Sequence, residues 1–284
     1  MPVLEIYYPI ILSGVPINNV NNPVLVASTS NESMRISIDV EKANRYKQTG
    51  IIFDIDKKIF SPSNWLTHKV KEFYTNLREV LGYDIRAVIR IRSHKPISDY
   101  LAYSLVSYLA VKETSRLEGV SLSNEEIRRF LKELDNLVLK ESYMEKTIIE
   151  CYRLGLTSIG LQLCRTGEEN FSIQPGLELK ILEMDIDKQL CCLLTDSDLE
   201  KLGDTSVLII KLLGYIPVEV YRLAKKHGTL DHIRKLLEIE NVITRTLCGI
   251  PWGTRLNDTS YICKLMPWSH GLFTNTCIVL EGAV

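Results

Sequence analysis

The residues with the clearest chemical potential lie where a predicted strand is followed by a helix. Pro96 ends the strand, and Lys95, Ser98 and Asp99 surround the first turn of the helix. A helix N-terminus carries partial positive charge and unpaired N–H groups, so these residues could hold an anion such as a phosphate group. The simpler interpretation is structural, because Ser98 or Asp99 would also cap a helix that is merely buried.

The segments on either side define this junction. Val88, Ile89 and Ile91 interleave with arginines, which predicts a strand over residues 87–91. The helix is predicted from four apolar residues on one face: Leu101, Leu105, Tyr108 and Leu109. We expect this face to be buried against a sheet.

The junction resembles the phosphate-binding loop of the GHMP small-molecule kinases. That family writes P-x-G-x-G-L-G-S-S-[SA]-A, and this chain writes Pro96-Ile97-Ser98-Asp99-Tyr100-Leu101-Ala102-Tyr103-Ser104-Leu105. The proline, one leucine and one serine are retained, and every glycine is replaced. The resemblance implies a kinase scaffold in which Pro96, Ser98, Asp99 and Ser104 belong to a nucleotide or ligand site.

Replacement of the glycines predicts weak nucleotide binding. A loop that cradles phosphates turns its N–H groups toward the anion, which favours residues that tolerate positive φ and carry no Cβ. Ser98, Tyr100 and Ala102 stand at three glycine positions, and Asp99 brings a carboxylate where a triphosphate would lie. We therefore expect a nucleotide site that is rebuilt or lost.

A second stretch near the C-terminus resembles the same family. The family motif A-K-L-[ST]-G-[AS]-G-x-G-G-x-x-[IV]-[AV]-L is similar to residues 262–280, which keep Lys264, a leucine and the closing Cys-Ile-Val-Leu. Most glycines are again absent, although Gly271 remains. Lys264 and Gly271 therefore join Lys95 as candidate ligand-binding residues.

Two further family motifs lack catalytic groups in this chain. Residues 9–14 keep the proline and glycine of P-[GA]-[RK]-[VI]-x-[LI]-x-G-E-H but not its basic residue, acid or histidine. Residues 155–162 correspond to the run that carries the family's catalytic aspartate, and Gln162 cannot act as a general base near neutral pH. Glu141 or Glu145 could hold magnesium, but solvated helix residues are the favoured interpretation. No catalytic residue and no metal site are assigned.

Composition indicates a globular protein without a polyanionic partner. The 284 residues include 34 basic and 35 acidic side chains, for a net charge of −1, and mean hydropathy is +0.02. Such a balance gives no electrostatic footprint for nucleic acid or for an anionic membrane surface. The first residues lack a basic segment typical of a secretory signal. We expect a cytoplasmic protein with neither nucleic-acid nor membrane partners.

The seven cysteines predict buried thiols instead of a disulfide framework or a zinc site. They are scattered, odd in number and form no C-x-x-C pair: Cys151, Cys164, Cys191, Cys192, Cys248, Cys263 and Cys277. Disulfides would become more plausible in a hyperthermophile. The five histidines also lack metal-ligand spacing.

The order of elements predicts an α+β fold with two closely joined α/β-sandwich-like halves. Strands are expected at 3–8, 24–28, 34–40, 50–55, 57–60, 87–91, 157–164, 177–181, 189–195, 261–266 and 274–280. Helices are expected at 63–81, 99–118, 124–140, 144–154, 196–202, 206–213, 218–227 and 230–247. This order resembles the GHMP kinases and implies a ribosomal S5 domain 2-like half over residues 1–183 and a ferredoxin-like half over residues 184–284.

Three functions remain open from the sequence. The first is a GHMP-kinase-like protein with a degenerate phosphate loop that binds a small molecule or a protein partner, with weak or no phosphoryl transfer. The second is an active kinase that uses ATP and Mg²⁺, its transition state stabilised by Arg90, Arg92, Lys95 and Lys264. The third is a non-catalytic assembly subunit, which exposed aromatics at Trp252, Trp268 and Phe273 would favour. No cofactor is expected outside the second.

Overall fold

Two sheets and a layer of helices make up the part of the chain described by the computed structural model. That part comprises residues 3–14, 17, 20–42, 50–55, 62–92, 95–140, 142–165, 167–174, 177–191, 200–226, 229–250, 261–269 and 272–282. The predicted strand at 57–60 lies outside these ranges, as do most of the elements predicted between 189 and 202.

The first sheet is built around one long strand. Its members are β1 (Val3–Ser13), β2 (Val24–Lys42), β3 (Gly50–Ile55), β4 (Ile85–Arg92), β5 (Gly160–Cys164) and β6 (Phe171–Ile173). Strand β2 pairs antiparallel with β1 along one edge, and with β5 and then β4 along the other. Strands β3 and β4 run parallel. The mostly antiparallel sheet confirms the expectation from strands that cluster ahead of long helices.

Four helices cover this sheet, and local signals fix their ends. They are α1 (Asn64–Leu81), α2 (Asp99–Leu117), α3 (Asn124–Val138) and α4 (Tyr143–Thr157). The Ser63 side chain caps α1, and Gly82 ends it with a φ of 72°, which suits glycine. A serine followed three residues later by a glutamate predicts a capping box, and Ser123 and Glu126 form one at the start of α3.

Helix α2 is buried on nearly every side. The predicted inward face, Leu101, Leu105, Tyr108 and Leu109, is at most 2% exposed. The opposite face is covered too, because α1, α3 and α4 all pack against α2. Within this helical layer the buried Arg153 pairs with Asp135, which also accepts a hydrogen bond of 3.2 Å from the Tyr103 hydroxyl. Helix α2 is therefore the centre of the N-terminal core.

The second sheet contains three antiparallel strands in the order β7 (Leu177–Cys191), β9 (Leu272–Gly282), β8 (Tyr261–Ser269). Helix α5 (Asp204–Lys225) follows β7 along the chain, and α6 (Leu230–Leu247) packs on β8 and β9. Helix α6 has the predicted bounds. The position of the domain boundary stays a prediction.

The two helices predicted at 206–213 and 218–227 are one continuous helix, α5. Pro217 lies in the gap between the two predicted helices and removes a backbone donor, which usually breaks or kinks a helix. Instead Pro217 lies on a buried face with Leu213, Ile216 and Val220. Burial of that face outweighs the lost hydrogen bond.

The spacing of apolar residues in α1 and α3 predicts inward faces that include Val80 and Leu137, but both residues are exposed. Val80 in α1 is 58% exposed and Leu137 in α3 is 59% exposed. In α3 the core position belongs to Val138, which falls on the same side as Ile127, Leu131 and Leu134. Both exposed residues lie in the last turn of their helix.

The expectation of unpaired cysteines is wrong. Cys151 in α4 is bonded to Cys164 in β5, and Cys263 in β8 to Cys277 in β9. Cys248 is also disulfide-bonded. The pairs join elements that become neighbours only in the fold; Cys263 and Cys277 are directly opposite in the strand register. Spacing along the chain could not reveal this.

The central position of α2 leads to a stability prediction. Leu105→Ala should lower the free energy of unfolding by about 2–5 kcal/mol, because the truncation leaves a cavity in a fully packed core. Leu137→Ala is the matched control and should change it by at most about 0.5 kcal/mol, since that side chain is exposed. Urea denaturation of both variants checks this. Equal effects would contradict the assigned packing.

Candidate functional site

The N-terminus of α2 is the predicted anion-binding point, and it is buried. Ser98 is the N-cap, and its hydroxyl oxygen accepts the Leu101 N–H at 3.2 Å. Ser98, Asp99, Tyr100, Leu101 and Ala102 are each at most 5% exposed. An anion in solvent therefore has no direct approach to the N–H groups of this turn. The structural interpretation of Ser98 as a cap is confirmed.

Asp99 faces other protein elements and is not open to solvent. One carboxylate oxygen accepts the backbone N–H of Ser63, at the start of α1, at 3.5 Å. Burial raises the pKa of the Asp99 carboxyl, while hydrogen bonds involving Ser63 and Ser269 act in the opposite direction. The second oxygen, Oδ2, has no hydrogen-bond partner among the described residues. Asp99 thus occupies the meeting point of α1, α2 and the end of β8.

A narrow cleft lies beside this turn, between the two sheets. Its walls come from β1, α2, α4, β8 and β9 and include Tyr8, Ser98, Tyr152 and Trp268. The Tyr8 hydroxyl donates to the Pro96 carbonyl oxygen at 2.6 Å, and Tyr152 hydrogen-bonds Ser98. The cleft volume is about 20 Å³. That is room for a water molecule, well below the roughly 300–1,000 Å³ of pockets that enclose small molecules.

Trp65 and Glu145 close the other side of the turn. The Trp65 indole N–H donates to a Glu145 carboxylate oxygen at 3.0 Å, and its ring meets the edge of Tyr100 with centroids 5.0 Å apart. Glu145 is 4% exposed, so the expectation of a solvated residue is wrong. Its carboxylate accepts from an indole, and no cluster of three or more metal-ligating side chains exists in the described ranges. Glu141 lies outside them.

Lys264 is buried in a polar cluster and not at the cleft surface. Its ammonium group pairs with the carboxylate of Glu240 in α6 and donates to the Leu12 carbonyl oxygen at 2.5 Å. Glu240 also accepts the Ser13 hydroxyl at 3.0 Å and the Gly14 N–H at 2.6 Å. Lys264 and Glu240 are 4% and 1% exposed. This cluster joins β1 of the first sheet to α6 and β8.

The remaining candidates lie apart from one another. The Ser104 hydroxyl donates within the helical layer to the Tyr100 carbonyl oxygen at 2.7 Å. Lys95 is half-buried just before the turn, and Arg90 is exposed on β4. Gly271 and the Arg92 side chain lie outside the description. The structure therefore brings Pro96, Ser98 and Asp99 together and separates them from Ser104 and Lys264.

Some residues of the site were missed from the sequence. Tyr8, Tyr152 and Trp65 gave no signal, because aromatic side chains in apolar runs are ordinary core residues. Glu240 could have been found: it interrupts the apolar stripe of α6 beside Ile233 and Leu237. An acid in a buried helix stripe requires a partner.

Two of the three aromatics whose exposure would favour an assembly subunit are in the core. Trp268 is 6% exposed and Phe273 is 4% exposed, and Trp252 is not described. They give no support to the assembly hypothesis. Across the described residues, no helix combines the length and apolar character needed to cross a bilayer.

Similarity to known proteins is found at the level of structure. No family model matches the sequence, and no curated protein matches it. Phosphomevalonate kinase from Streptococcus pneumoniae, in complex with phosphomevalonate and AMPPNP, superposes with a TM-score of 0.61 at 12% identity, over 100% of this chain and 93% of that one.

Two other solved structures extend the comparison. Mevalonate kinase from L. major gives a TM-score of 0.59 at 12% identity, over 99% of this chain and 87% of that one. Mevalonate pyrophosphate decarboxylase from Streptococcus pyogenes gives a TM-score of 0.59 at 9% identity, over 99% of this chain and 89% of that one. At these identities the likeness concerns the fold. This chain has the fold of the GHMP kinase superfamily, as its motifs predicted.

Proposed function

We propose that this chain is a GHMP-kinase-like protein without efficient phosphoryl transfer, which acts by binding a protein partner. The observation that carries the proposal is the burial of the first turn of α2, from Ser98 to Ala102. Phosphates are held by exposed N–H groups at such a turn. Here one of those groups is capped by Ser98 and the turn is covered by other elements.

Electrostatics favour the same conclusion. A nucleoside triphosphate at this turn would meet the carboxyl group of Asp99. Two like charges 4 Å apart cost about 4 kcal/mol at an effective dielectric of 20, about a thousandfold in dissociation constant. Lys264, the lysine of the second family-like motif, is committed to Glu240. The described residues therefore do not fit Mg·ATP, and we derive no catalytic step through it.

The cleft favours a protein partner over an enclosed small ligand. Its volume of about 20 Å³ admits a water molecule and nothing larger. A ligand of cofactor size would require the two sheets to separate. A protein partner, in contrast, could bind an exposed surface without any rearrangement of the sheets.

Isothermal titration with Mg·ATP tests the proposal. We expect no dissociation constant tighter than millimolar, because the N–H groups are covered and a carboxylate lies beside them. Asp99→Asn is the matched variant: it keeps the side-chain shape and removes the charge, so it should not weaken any residual binding. Micromolar affinity in the unmodified protein, abolished by Asp99→Asn, would contradict the proposal and indicate an active site in which Asp99 holds magnesium.

The raised pKa of Asp99 gives a second prediction. A carboxyl whose pKa is higher in the folded state than in the unfolded state favours folding when it is protonated. Its contribution to stability therefore falls as the pH rises from the pKa of the unfolded state to the pKa of the folded state. Asp99→Asn should therefore stabilise the protein near neutral pH, and the gain should shrink as pH falls toward about 4.

A buried, paired aspartate provides the control for this measurement. Asp135→Asn should destabilise the protein at neutral pH by about 3–5 kcal/mol, because it leaves the buried Arg153 without its partner. Urea denaturation at several pH values compares the two variants. A loss of stability in Asp99→Asn at neutral pH would show that the Asp99 charge is favourably paired.

A further inference from the structure

Helix α5 carries an apolar face that is open to solvent. Its inner side is buried through Leu213, Ile216 and Val220. Its outer side exposes five large apolar side chains by 41–68%: Val207, Leu208, Leu212, Tyr215 and Val218. A contiguous exposed apolar patch of this kind marks an interaction surface more often than a solvated one.

These side chains form a continuous stripe. Leu208, Leu212 and Tyr215 recur at helical spacing, and Val207 and Val218 flank them. Because the inner face is occupied by the body of the protein, the stripe can be covered only from outside.

The order of residues along the stripe is self-complementary. Leu208 and Val218 lie five residues on either side of Leu213, and Lys211 and Tyr215 lie two residues on either side. A second copy of the helix, packed antiparallel about that centre, would therefore set Leu208 against Val218. It would also bring the Lys211 ammonium near the Tyr215 ring, a favourable cation–π geometry.

The charges at the two ends follow the same symmetry. Asp204 lies nine residues before the centre, and Arg222 nine residues after it. Arg222 pairs with Glu219 on its own helix and keeps half of its side chain exposed, so it can also receive an incoming carboxylate. Lys225 and Lys226 add positive charge beyond it. Antiparallel packing also places the N-terminus of each helix dipole beside the C-terminus of the other.

We propose that this chain forms a two-fold symmetric homodimer through the outer face of α5, packed antiparallel against α5 of a second copy. A two-fold interface requires a surface that complements itself, and this stripe does so in the order of its apolar residues and in charge. The inference names the partner for the binding role proposed above, but it does not depend on the absence of catalysis. Nucleotide titration and dimer measurement can therefore fail separately.

Sedimentation velocity over a range of protein concentrations tests the dimer. The unmodified protein should show a monomer–dimer equilibrium. L208E should abolish the dimer, because it places a charge opposite Val218 within the apolar contact. L137E is the same substitution at an exposed leucine on α3, outside the stripe, and should leave the dimer intact. A monomer at every concentration, or a dimer that survives L208E, would overturn the proposal.

Charge reversal tests the antiparallel orientation. D204R and R222D should each raise the dimer dissociation constant roughly tenfold, since each replaces an attractive contact by a repulsive one at both ends of the interface. The double variant D204R/R222D should restore dimerisation, because the pairing is re-created in the opposite sense. A double variant weaker than either single one would overturn the orientation.

Discussion

The packing of the two sheets against each other depends on the contacts of the Glu240 carboxylate. Glu240 lies in α6 and is 1% exposed, and it receives hydrogen bonds from Ser13 and Gly14 at the end of β1 and an ion pair from Lys264 in β8. A charge buried this completely is tolerated only when it is paired and hydrogen-bonded. The requirement to satisfy one acid therefore brings β1, α6 and β8 together.

This contact also explains why the cleft is closed. Lys264 cannot serve a ligand while it neutralises Glu240, and the strands it connects form two walls of the cleft, with Tyr8 and Met266 among the lining residues. Next to the cleft, Asp99 bridges the starts of α1 and α2. Polar groups that would face a nucleotide in an open site are directed at other parts of the protein. The closed cleft and the buried turn are the observations that support the proposal of a kinase-like fold without efficient phosphoryl transfer.

Local patterns predicted the fold, whereas long-range pairings decided the site. The capping box at Ser123, the cap at Ser98 and the apolar face of α2 were all readable, because each depends on neighbouring residues. The partner of Lys264 was not, since Glu240 meets it only when α6 packs on β8. The disulfide pairs could not be predicted for the same reason, because their cysteines become neighbours only in the fold. The break predicted between residues 213 and 218 is absent, because burial of one helix face outweighs the backbone donor that Pro217 removes.

A double-mutant cycle on Glu240 and Lys264 tests the central claim most directly. Glu240→Gln and Lys264→Met should each lower the free energy of unfolding by about 3–5 kcal/mol, because each leaves the other charge buried and unpaired. The double variant should lose clearly less than the sum of the two, which urea denaturation would measure as a coupling energy. Additive losses, or losses near zero in the single variants, would contradict the role assigned to this ion pair.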